Sequence, residues 1–268
     1  MENIIEELKI ELENINGCIW INKLKEKFAM LNELQIRYYI IELGYGDRMK
    51  ERKQQGLNKY YFNKIESPDK AYWLGFILAD GYLDNRGRFG IELEQKDIGH
   101  LEKFKEAIGY KRDIKIYHKK STFGEQDNCR ISFMNAQFTH DLIKLGITLD
   151  KSNTGVFPKI SKELYPHMIR GYLDGNGTIR IQENKKEEGF RLTGLSFCGT
   201  KEILQDIETF SDFKWSWSKR KDNNTNNYQI ATGKRIESET FLKQIYYNKD
   251  NVCLDRKLKK VEKLKWKE

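Results

Sequence analysis

A nine-residue segment that contains glycines occurs twice in this chain, as Trp73–Gly81 and as Ile169–Gly177. In each copy small residues recur four positions apart: Gly75 with Ala79, and Gly171 with Gly175. Four positions bring a helix back to the same face. Each segment is therefore predicted to be a helix with a smooth strip, against which another backbone packs closely. The glycine that ends each copy is expected to close its helix in the left-handed conformation.

A carboxylate stands in an unfavourable place at the end of the first copy. Asp80 lies in the last turn of its predicted helix, at the negative end of the helix dipole, where a negative charge costs roughly 0.3–1 kcal/mol. Where two such helix ends meet, carboxylate and carbonyl oxygens converge, and oxygen ligands suit a hard cation such as Mg²⁺. A solvated helix end explains a single copy equally well, but the duplication favours a metal site.

The repeated pattern extends well beyond the two helices. Alternating apolar and polar residues predict strands, and helical periodicity predicts helices between them. In the first half these elements are Arg88–Glu94, Leu101–Ile108, Ile114–Tyr117, Cys129–Phe133 and Ala136–Leu145. In the second half they are Thr178–Gln182, Gly194–Phe197, Lys201–Phe210, Phe213–Ser218, Tyr228–Thr232 and Ser238–Tyr247. Each half, 59–160 and 161–268, is predicted to be an αββαββα unit, which gives an α+β fold with two pseudo-symmetric repeats.

Residues 1–58 precede the repeats and differ from them in kind. Three short amphipathic helices are predicted, over Glu2–Asn14, Ile21–Met30 and Asn32–Leu43. Their spacing fits a helix-turn-helix, in which Arg37 and Arg48 are candidate DNA contacts. A purely structural helical cap fits the same pattern, so the sequence leaves both interpretations open.

Composition excludes several classes of protein. The net charge of +8 favours a polyanionic partner. The acidic start is unlike a signal peptide, and no apolar stretch approaches the ~20 residues of a membrane span. The four cysteines and four histidines show no CxxC or HExxH spacing, which argues against a zinc hydrolase or a disulfide framework. We expect a cytoplasmic protein without a membrane partner.

The duplicated segments resemble the LAGLIDADG homing endonucleases. The resemblance covers roughly residues 60 to 262 and is closest to the single-chain members of phages and bacteria. Besides the two nonapeptides it includes Tyr60–Ile65, Leu145–Thr148, Phe157–Ile160, Cys198–Glu202 and Leu254–Lys257. It implies a monomer whose two repeats form a DNA-binding saddle, with a catalytic Mg²⁺ or another divalent cation, and phage members often carry a helix-turn-helix before the repeats.

The same resemblance assigns roles to individual residues. It places Asp80 on the acidic residue that binds the metal, with the carbonyl oxygens of Ala79 and Gly175 as weaker ligand candidates. Asn176 occupies the second acidic position, and an amide lacks the charge that a metal site needs. Gln95 matches a water-ordering Gln, whose place in the second half falls on Gly199. Lys234, or its neighbour Arg235, matches a charge-stabilising Lys, whose place in the first half falls on Asn135, although a solvated loop cation is as good an interpretation of Lys234.

The departure at Asn176 has three explanations that the sequence does not separate. They are natural decay, natural tuning towards one DNA strand, and a deliberate change made to stop cleavage. Each acidic residue of the family serves mainly one strand. We therefore expect this chain to be nearly inactive or to nick one strand, and Asn176→Asp to produce double-strand breaks.

Polar residues on the predicted strands are the candidate DNA contacts. Arg, Gln and Asn pair with purine edges, Lys pairs with phosphates, and Glu accepts from cytosine. Solvated strand faces explain any one of these residues, but explain less well the same alternation repeated in the predicted strands of both halves. The candidates are Arg86, Arg88, Glu92, Glu94, Lys115, Tyr117, Lys119 and Arg130 in the first half, and Arg180, Gln182, Lys214, Ser216, Lys219 and Gln229 in the second.

The leading hypothesis is a site-specific endonuclease that cuts a long duplex DNA site. The resemblance implies that it cuts across the minor groove and leaves 3′ overhangs. The alternatives are a sequence-specific DNA-binding protein that no longer cuts, such as a repressor, and an RNA maturase.

Overall fold

A small all-helical unit begins the chain, as the sequence predicts. The computed structural model describes residues 2–51, 54–121, 124–183, 189–220, 226–247 and 252–264. The first unit contains α1 (Glu2–Asn14), α2 (Ile21–Lys27) and α3 (Glu33–Glu42). Asn32 starts α3 with a capping box, because its side chain accepts from the backbone N–H of Gln35 and the Gln35 side chain accepts in return. Leu8, Leu12 and Ile36 are fully buried in a core that belongs to this unit.

Two copies of one order of elements follow, and they confirm the predicted α+β class with two αββαββα repeats. The first copy consists of α4 (Pro68–Asp80), β1 (Gly81–Leu83), β2 (Arg88–Glu94), α5 (Ile98–Ala107), β3 (Lys115–Ser121), β4 (Gly124–Met134) and α6 (Ala136–Lys144). A short helix, α7 (Lys151–Thr154), connects it to the second copy. The second copy consists of α8 (Tyr165–Asn176), β5 (Gly177–Glu183), β6 (Phe190–Gly199), α9 (Lys201–Ser211), β7 (Ser216–Lys219), β8 (Tyr228–Thr232) and α10 (Arg235–Ile245), after which comes α11 (Asp255–Glu262).

The two sheets have matching topology. Their strand orders are β1-β2-β4-β3 and β5-β6-β8-β7, and all neighbours are antiparallel. The helices cover one face of each sheet, where Phe89 packs against Phe104 and Phe138 in the first repeat and Phe197 against Phe241 in the second. Side chains alternate between faces along a strand, so the opposite face carries the polar residues. We call these the first and second polar faces.

Helices α4 and α8 pack against each other at the seam between the repeats. A Cβ added to Gly75 would lie 1.9 Å from the carbonyl oxygen of Met168, and one added to Gly171 would lie 2.0 Å from that of Tyr72. A Cβ on Gly175 would lie 2.3 Å from the Cβ of Ala79. Any side chain at these glycines would separate the helices, so the backbones are in direct contact.

The glycines that end the two seam helices do not adopt the expected left-handed conformation. Gly81 has φ −72° and Gly177 has φ −110°, and each begins a strand. Glycine is needed there for space, because an added Cβ would lie 2.7 Å from the carbonyl oxygen of Ile77 or Leu173 respectively. The backbone therefore turns from helix directly into strand, which places Asp80 immediately before β1 and Asn176 immediately before β5.

Other boundaries also differ from prediction. The second sheet's β7 begins at Ser216 rather than Phe213, and Trp215 before it is buried against Phe197 and Phe241. Strand β1 and helix α11 were not predicted, because the first is only three residues long and the second is mostly lysine and other charged residues. Within the described residues no helix is both long and apolar enough to span a membrane.

Candidate functional site at the seam of the two repeats

Asp80 ends α4 with its carboxylate beside the seam. Among the described residues no hydrogen bond or ion pair within 4.0 Å engages this carboxylate. Burial raises the pKa of Asp80, while Lys151, Lys257 and Arg256 act in the opposite direction. A half-buried carboxylate without a partner is costly for stability alone, which favours a functional role.

Two lysines that sequence reasoning missed hold the C-terminal ends of the seam helices. The Lys151 ammonium donates to the carbonyl oxygens of Leu78 at 2.8 Å and Ala79 at 2.7 Å. The Lys257 ammonium donates to the carbonyl oxygens of Leu173, and of Asp174 and Gly177 at 2.7 Å each. Cations at these positions neutralise the negative ends of the helix dipoles. Burial lowers the pKa of each lysine to about 8.

The sequence contains a signal for these lysines. Leu149-Asp150-Lys151 and Leu254-Asp255-Arg256-Lys257 follow the last predicted helix of each repeat. Both segments begin with Leu-Asp and continue with a lysine one or two residues later. Only the second segment was noted in the sequence, as part of the family resemblance. The signal lies far along the chain from the seam helices, so it becomes meaningful only when the fold brings both ends together.

The Ala79 carbonyl oxygen, a predicted metal ligand, accepts a hydrogen bond from the Lys151 ammonium at 2.7 Å. Its assignment as a ligand stays a prediction. The carbonyl of Gly175, on the other seam helix, accepts no bond from either lysine and stays a predicted ligand.

A fully buried carboxylate fixes the element that carries Lys257. Asp174 accepts hydrogen bonds from the hydroxyls of Tyr72 and Tyr246 and from the backbone N–H of Leu254, each at 2.7 Å. Leu254 is the residue before α11, so Asp174 anchors the start of that helix. Arg256 on α11 also binds Asp97 through Nε, 2.9 Å from Oδ2. Helix α11, which carries Arg256 and Lys257 near Asp80, is therefore held in place by carboxylates from both repeats.

The second centre, at Asn176, is built differently. A cavity of about 210 Å³ adjoins the Asn176 side chain. Its amide lies 3.5 Å from the Tyr172 hydroxyl, which donates to the Cys198 carbonyl oxygen at 2.8 Å. Lys151 and Arg220 line the cavity, and among the described residues no carboxylate does.

The strand register moves the counterpart of Gln95 in the second repeat from Gly199 to Lys201. Strand pairing aligns Gly81 with Ile91 and Gly177 with Phe197, so Gly199 corresponds to Leu93 rather than to Gln95. Gln95 lies instead in a turn of 3₁₀ helix, Gln95–Asp97, that precedes α5, and its side chain is exposed.

The other predicted catalytic positions have partners of their own. Lys234 pairs with Glu237 at 3.0 Å and Arg235 with Glu239 at 2.6 Å. Asn135 caps α6 by accepting from the backbone N–H of Phe138. The assignments of Gln95 and Lys234 to catalysis stay predictions.

On the first polar face the predicted contact residues lie together. The register brings Lys115 beside Arg130 and Arg130 beside Glu92. Glu92 accepts hydrogen bonds from Asn128 at 2.9 Å and from Lys119 at 3.1 Å. Burial acts to raise the pKa of Glu92, but hydrogen bonds from Tyr117, Asn128 and Lys119 lower it overall. Arg130 lies over the Tyr117 ring. Glu92 thus orders its neighbours. The remaining predicted residues of this half are Arg86 in the β1–β2 turn, Arg88, and Glu94, which pairs with Lys96.

Most of the DNA-contact residues predicted in the second half lie on or beside the second polar face. Arg180, Gln182, Ser216 and Gln229 share this face, and the exposed Lys214 precedes β7. Arg191, which the sequence analysis missed, donates to Gln182 at 3.4 Å on the same face. Lys219 does not belong to it, because its register is that of Trp217 on the helix-facing side and it lies over the Tyr228 ring.

Both arginines expected to contact DNA in the N-terminal unit have partners within the chain, and their assignment to DNA stays a prediction. Arg37 is 9% exposed, and its guanidinium binds Glu51 at 2.5 Å. Glu51 in turn accepts from the backbone N–H of Ala136 at the start of α6. Arg48 donates to the carbonyl oxygens of Gly17 and Ile15, which closes the loop after α1. Both arginines therefore hold the unit together or dock it onto the first repeat.

The two centres differ in how well they suit a divalent cation. Mg²⁺ is commonly held by one or two carboxylates together with substrate phosphates and water. Asp80 fits this pattern because its carboxylate has no partner in the part of the chain that the structure describes. Asn176 does not fit, since its amide is neutral and its cavity is lined by cations. Within the described residues no group of three or more acidic, His or Cys side chains forms a ready-made metal cluster.

Comparison with known proteins gives matches in structure only. No protein-family model matches the chain, and no curated protein matches it. Solved structures with a similar fold are LAGLIDADG homing endonucleases at 12–15% identity. One is the homing endonuclease I-WcaI bound to its DNA recognition sequence, with 15% identity, a TM-score of 0.49, and coverage of 75% of this chain and 91% of that chain. Another is the LAGLIDADG homing endonuclease I-LtrWI bound to target DNA, with 15% identity, a TM-score of 0.47, and coverage of 76% and 88%.

Proposed function

We propose that this chain is a LAGLIDADG-type homing endonuclease that binds a long duplex DNA site as a monomer and cuts mainly one strand. The observation that carries the proposal is the seam itself. Two duplicated helices meet backbone to backbone, and one of them ends in a carboxylate, Asp80, that has no partner among the described residues. The sequence resemblance supports the same conclusion independently of the structure.

The polar faces support DNA as the substrate. They lie on matching sides of two pseudo-symmetric sheets, and both carry arginine together with lysine or glutamine. Such side chains bind phosphates and base edges. Because the two repeats are covalently joined, one chain supplies both halves of the surface.

Hydrolysis of a phosphodiester needs a water molecule directed at phosphorus and stabilisation of the charge that develops on the leaving oxygen. A Mg²⁺ ion held by Asp80, with the Gly175 carbonyl oxygen and DNA phosphates, would supply that stabilisation. Lys151 and Lys257 fix the two helix ends and add positive potential where the scissile phosphate would lie. Asp174 positions Lys257 by anchoring the start of α11.

The second candidate function is sequence-specific binding without cleavage. The cavity at Asn176 favours it, because this centre has no carboxylate among the described residues. On this alternative Asp80 is a remnant, and the polar faces alone determine activity.

A binding selection followed by a cleavage assay tests the proposal. Randomised duplex DNA is selected on the chain in Ca²⁺, and the enriched site is cloned into a supercoiled plasmid. We expect Mg²⁺ to give nicked circles cut at one position of one strand. Enrichment without any cut would support the binding-only alternative, and no enrichment would contradict both.

A further inference from the structure

We propose that the cavity at Asn176 binds a phosphate group without a divalent cation, and so holds the DNA strand that this centre does not cut. The proposal rests on the proposed function for the identity of the strand. The presence of an anion site rests on the cavity alone.

The charge of the cavity lining is the first argument. Lys151 and Arg220 line it together with Ser152, Asn176 and Thr200, and no described lining residue is acidic. An ammonium has three N–H donors. Lys151 uses two on the carbonyl oxygens of Leu78 and Ala79, which leaves one for a ligand. The Thr200 hydroxyl donates to the Gly155 carbonyl oxygen, so the donors that face the cavity are those of Lys151, Arg220, Ser152 and the Asn176 amide. Around a space of about 210 Å³ these groups suit a tetrahedral oxyanion.

Paired differences between the repeats give the second argument. Phe76 and Leu93 in the first repeat correspond to Tyr172 and Gly199 in the second. A Cβ on Gly199 would lie 2.1 Å from the Tyr172 hydroxyl, so the hydroxyl occupies the space that a side chain at this position would need. The same hydroxyl lies 3.5 Å from the Asn176 amide. The second centre therefore differs from the first at three adjoining positions: Phe76/Tyr172, Leu93/Gly199 and Asp80/Asn176.

The neutral side chain at position 176 completes the argument. A carboxylate there would face Lys151 and Arg220 and would repel a phosphate in the same cavity. An amide removes that repulsion and offers N–H donors as well. The first centre, with Asp80, needs a cation before it can accept a phosphate, whereas the second does not.

Inorganic phosphate in EDTA tests the anion site without DNA. The ¹⁵N-labelled chain is titrated with phosphate, against chloride at matched ionic strength, and the backbone amides of Asn176, Gly177 and Gly199 are followed by NMR. We expect saturable shifts with phosphate, about tenfold weaker binding for Asn176→Asp, and severalfold weaker binding for Arg220→Gln. Asn14→Asp, the same change at the exposed end of α1, and Lys219→Gln should bind as the unmodified chain does.

Binding of the selected duplex in EDTA tests whether the cavity takes a phosphate of the DNA strand. Asn176→Asp should weaken metal-free DNA binding about tenfold, Asp80→Asn should strengthen it, and Asn14→Asp should leave it unchanged. Absence of saturable phosphate shifts, or equal phosphate binding by Asn176→Asp and the unmodified chain, would overturn the proposal. Phosphate binding with unaltered DNA binding in Asn176→Asp would overturn its assignment to the DNA strand. Failure to select any duplex, with phosphate bound as expected, would contradict the proposed function and leave the anion site standing.

Discussion

Asp80 and Gly175 face each other across the seam, and a Cβ added to Gly175 would lie 3.1 Å from Asp80 Oδ2. The smooth strip on α8 therefore does more than allow two helices to approach. It brings the backbone of one repeat to the carboxylate of the other, so the first centre is formed by both repeats.

Close packing at the seam predicts a large loss of stability for Gly75→Ala. The added Cβ would meet the backbone carbonyl of Met168 at 1.9 Å, which no side-chain movement relieves. We expect the free energy of unfolding, measured with urea, to fall by about 3 kcal/mol or more. Gly99→Ala in α5 is the control, because its Cβ meets nothing within 4 Å and alanine favours a helix by up to about 1 kcal/mol. Equal effects of the two changes would contradict the seam geometry.

Asn176→Asp is predicted to change the products of cleavage. It introduces a second carboxylate at the equivalent helix end, and with it a second site for a cation. With supercoiled DNA and Mg²⁺, the unmodified chain should accumulate nicked circles and the variant should produce linear DNA. Rapid linearisation by the unmodified chain, without nicked circles, would show that an amide at this position supports cleavage.

The polar faces predict how the affinity for DNA depends on salt. Lys115 lies on the first polar face, whereas Lys105 lies on α5 and pairs with Glu102. Lys115→Ala should reduce the slope of log affinity against log salt concentration by about 1, since one phosphate contact is lost. Lys105→Ala should not alter the slope. A slope unchanged by Lys115→Ala would remove this residue from the DNA surface.

Docking of the N-terminal unit is predicted to depend on pH through His140. Its ring binds Glu42 of α3 at 2.7 Å and Asp141 at 3.3 Å, and packs at a tilt against the Tyr38 ring. Lys144 also binds Glu42. Burial acts to lower the pKa of His140, but bonds to the two carboxylates raise it overall, while the bond from His140 lowers the pKa of Glu42.

The signs of these shifts define the pH range. The contribution of His140 is fully present below its unfolded pKa of 6.5 and is lost as pH rises through its higher folded value. That of Glu42 is present above its unfolded pKa of 4.5 and is lost as pH falls through its lower folded value. His140→Gln should therefore lower the melting temperature more at about pH 5.5 than at about pH 8.5. His118→Gln, at an exposed pair with Asp127, should have a smaller effect at both, and a pH-independent loss in His140→Gln would contradict this account.

The sequence predicts what depends on local periodicity. The duplicated helices, the order of elements and the two polar faces follow from spacing alone, because alternation and four-residue repeats directly determine which face is buried. What it missed depends on distant contacts. Lys151 and Lys257 bind carbonyl oxygens at helix ends that lie far from them in the sequence. Arg37, which the sequence suggests to be a surface cation, is buried and pairs with Glu51. The left-handed conformation predicted for Gly81 was wrong. Glycine is needed at this position because a side chain would collide with Ile77, and the backbone there is extended.

Replacement of Asp80 tests the central claim most directly. Asp80→Asn removes the seam carboxylate that has no partner among the described residues. Asp206→Asn is the matched control, because burial also raises the pKa of that α9 carboxyl away from the seam. The measurement is the rate at which supercoiled DNA that carries the selected site is nicked in Mg²⁺. The account predicts no nicking by Asp80→Asn, with DNA affinity retained or increased, and unaltered nicking by Asp206→Asn. Nicking by Asp80→Asn at the rate of the unmodified chain would contradict the assignment of the first centre.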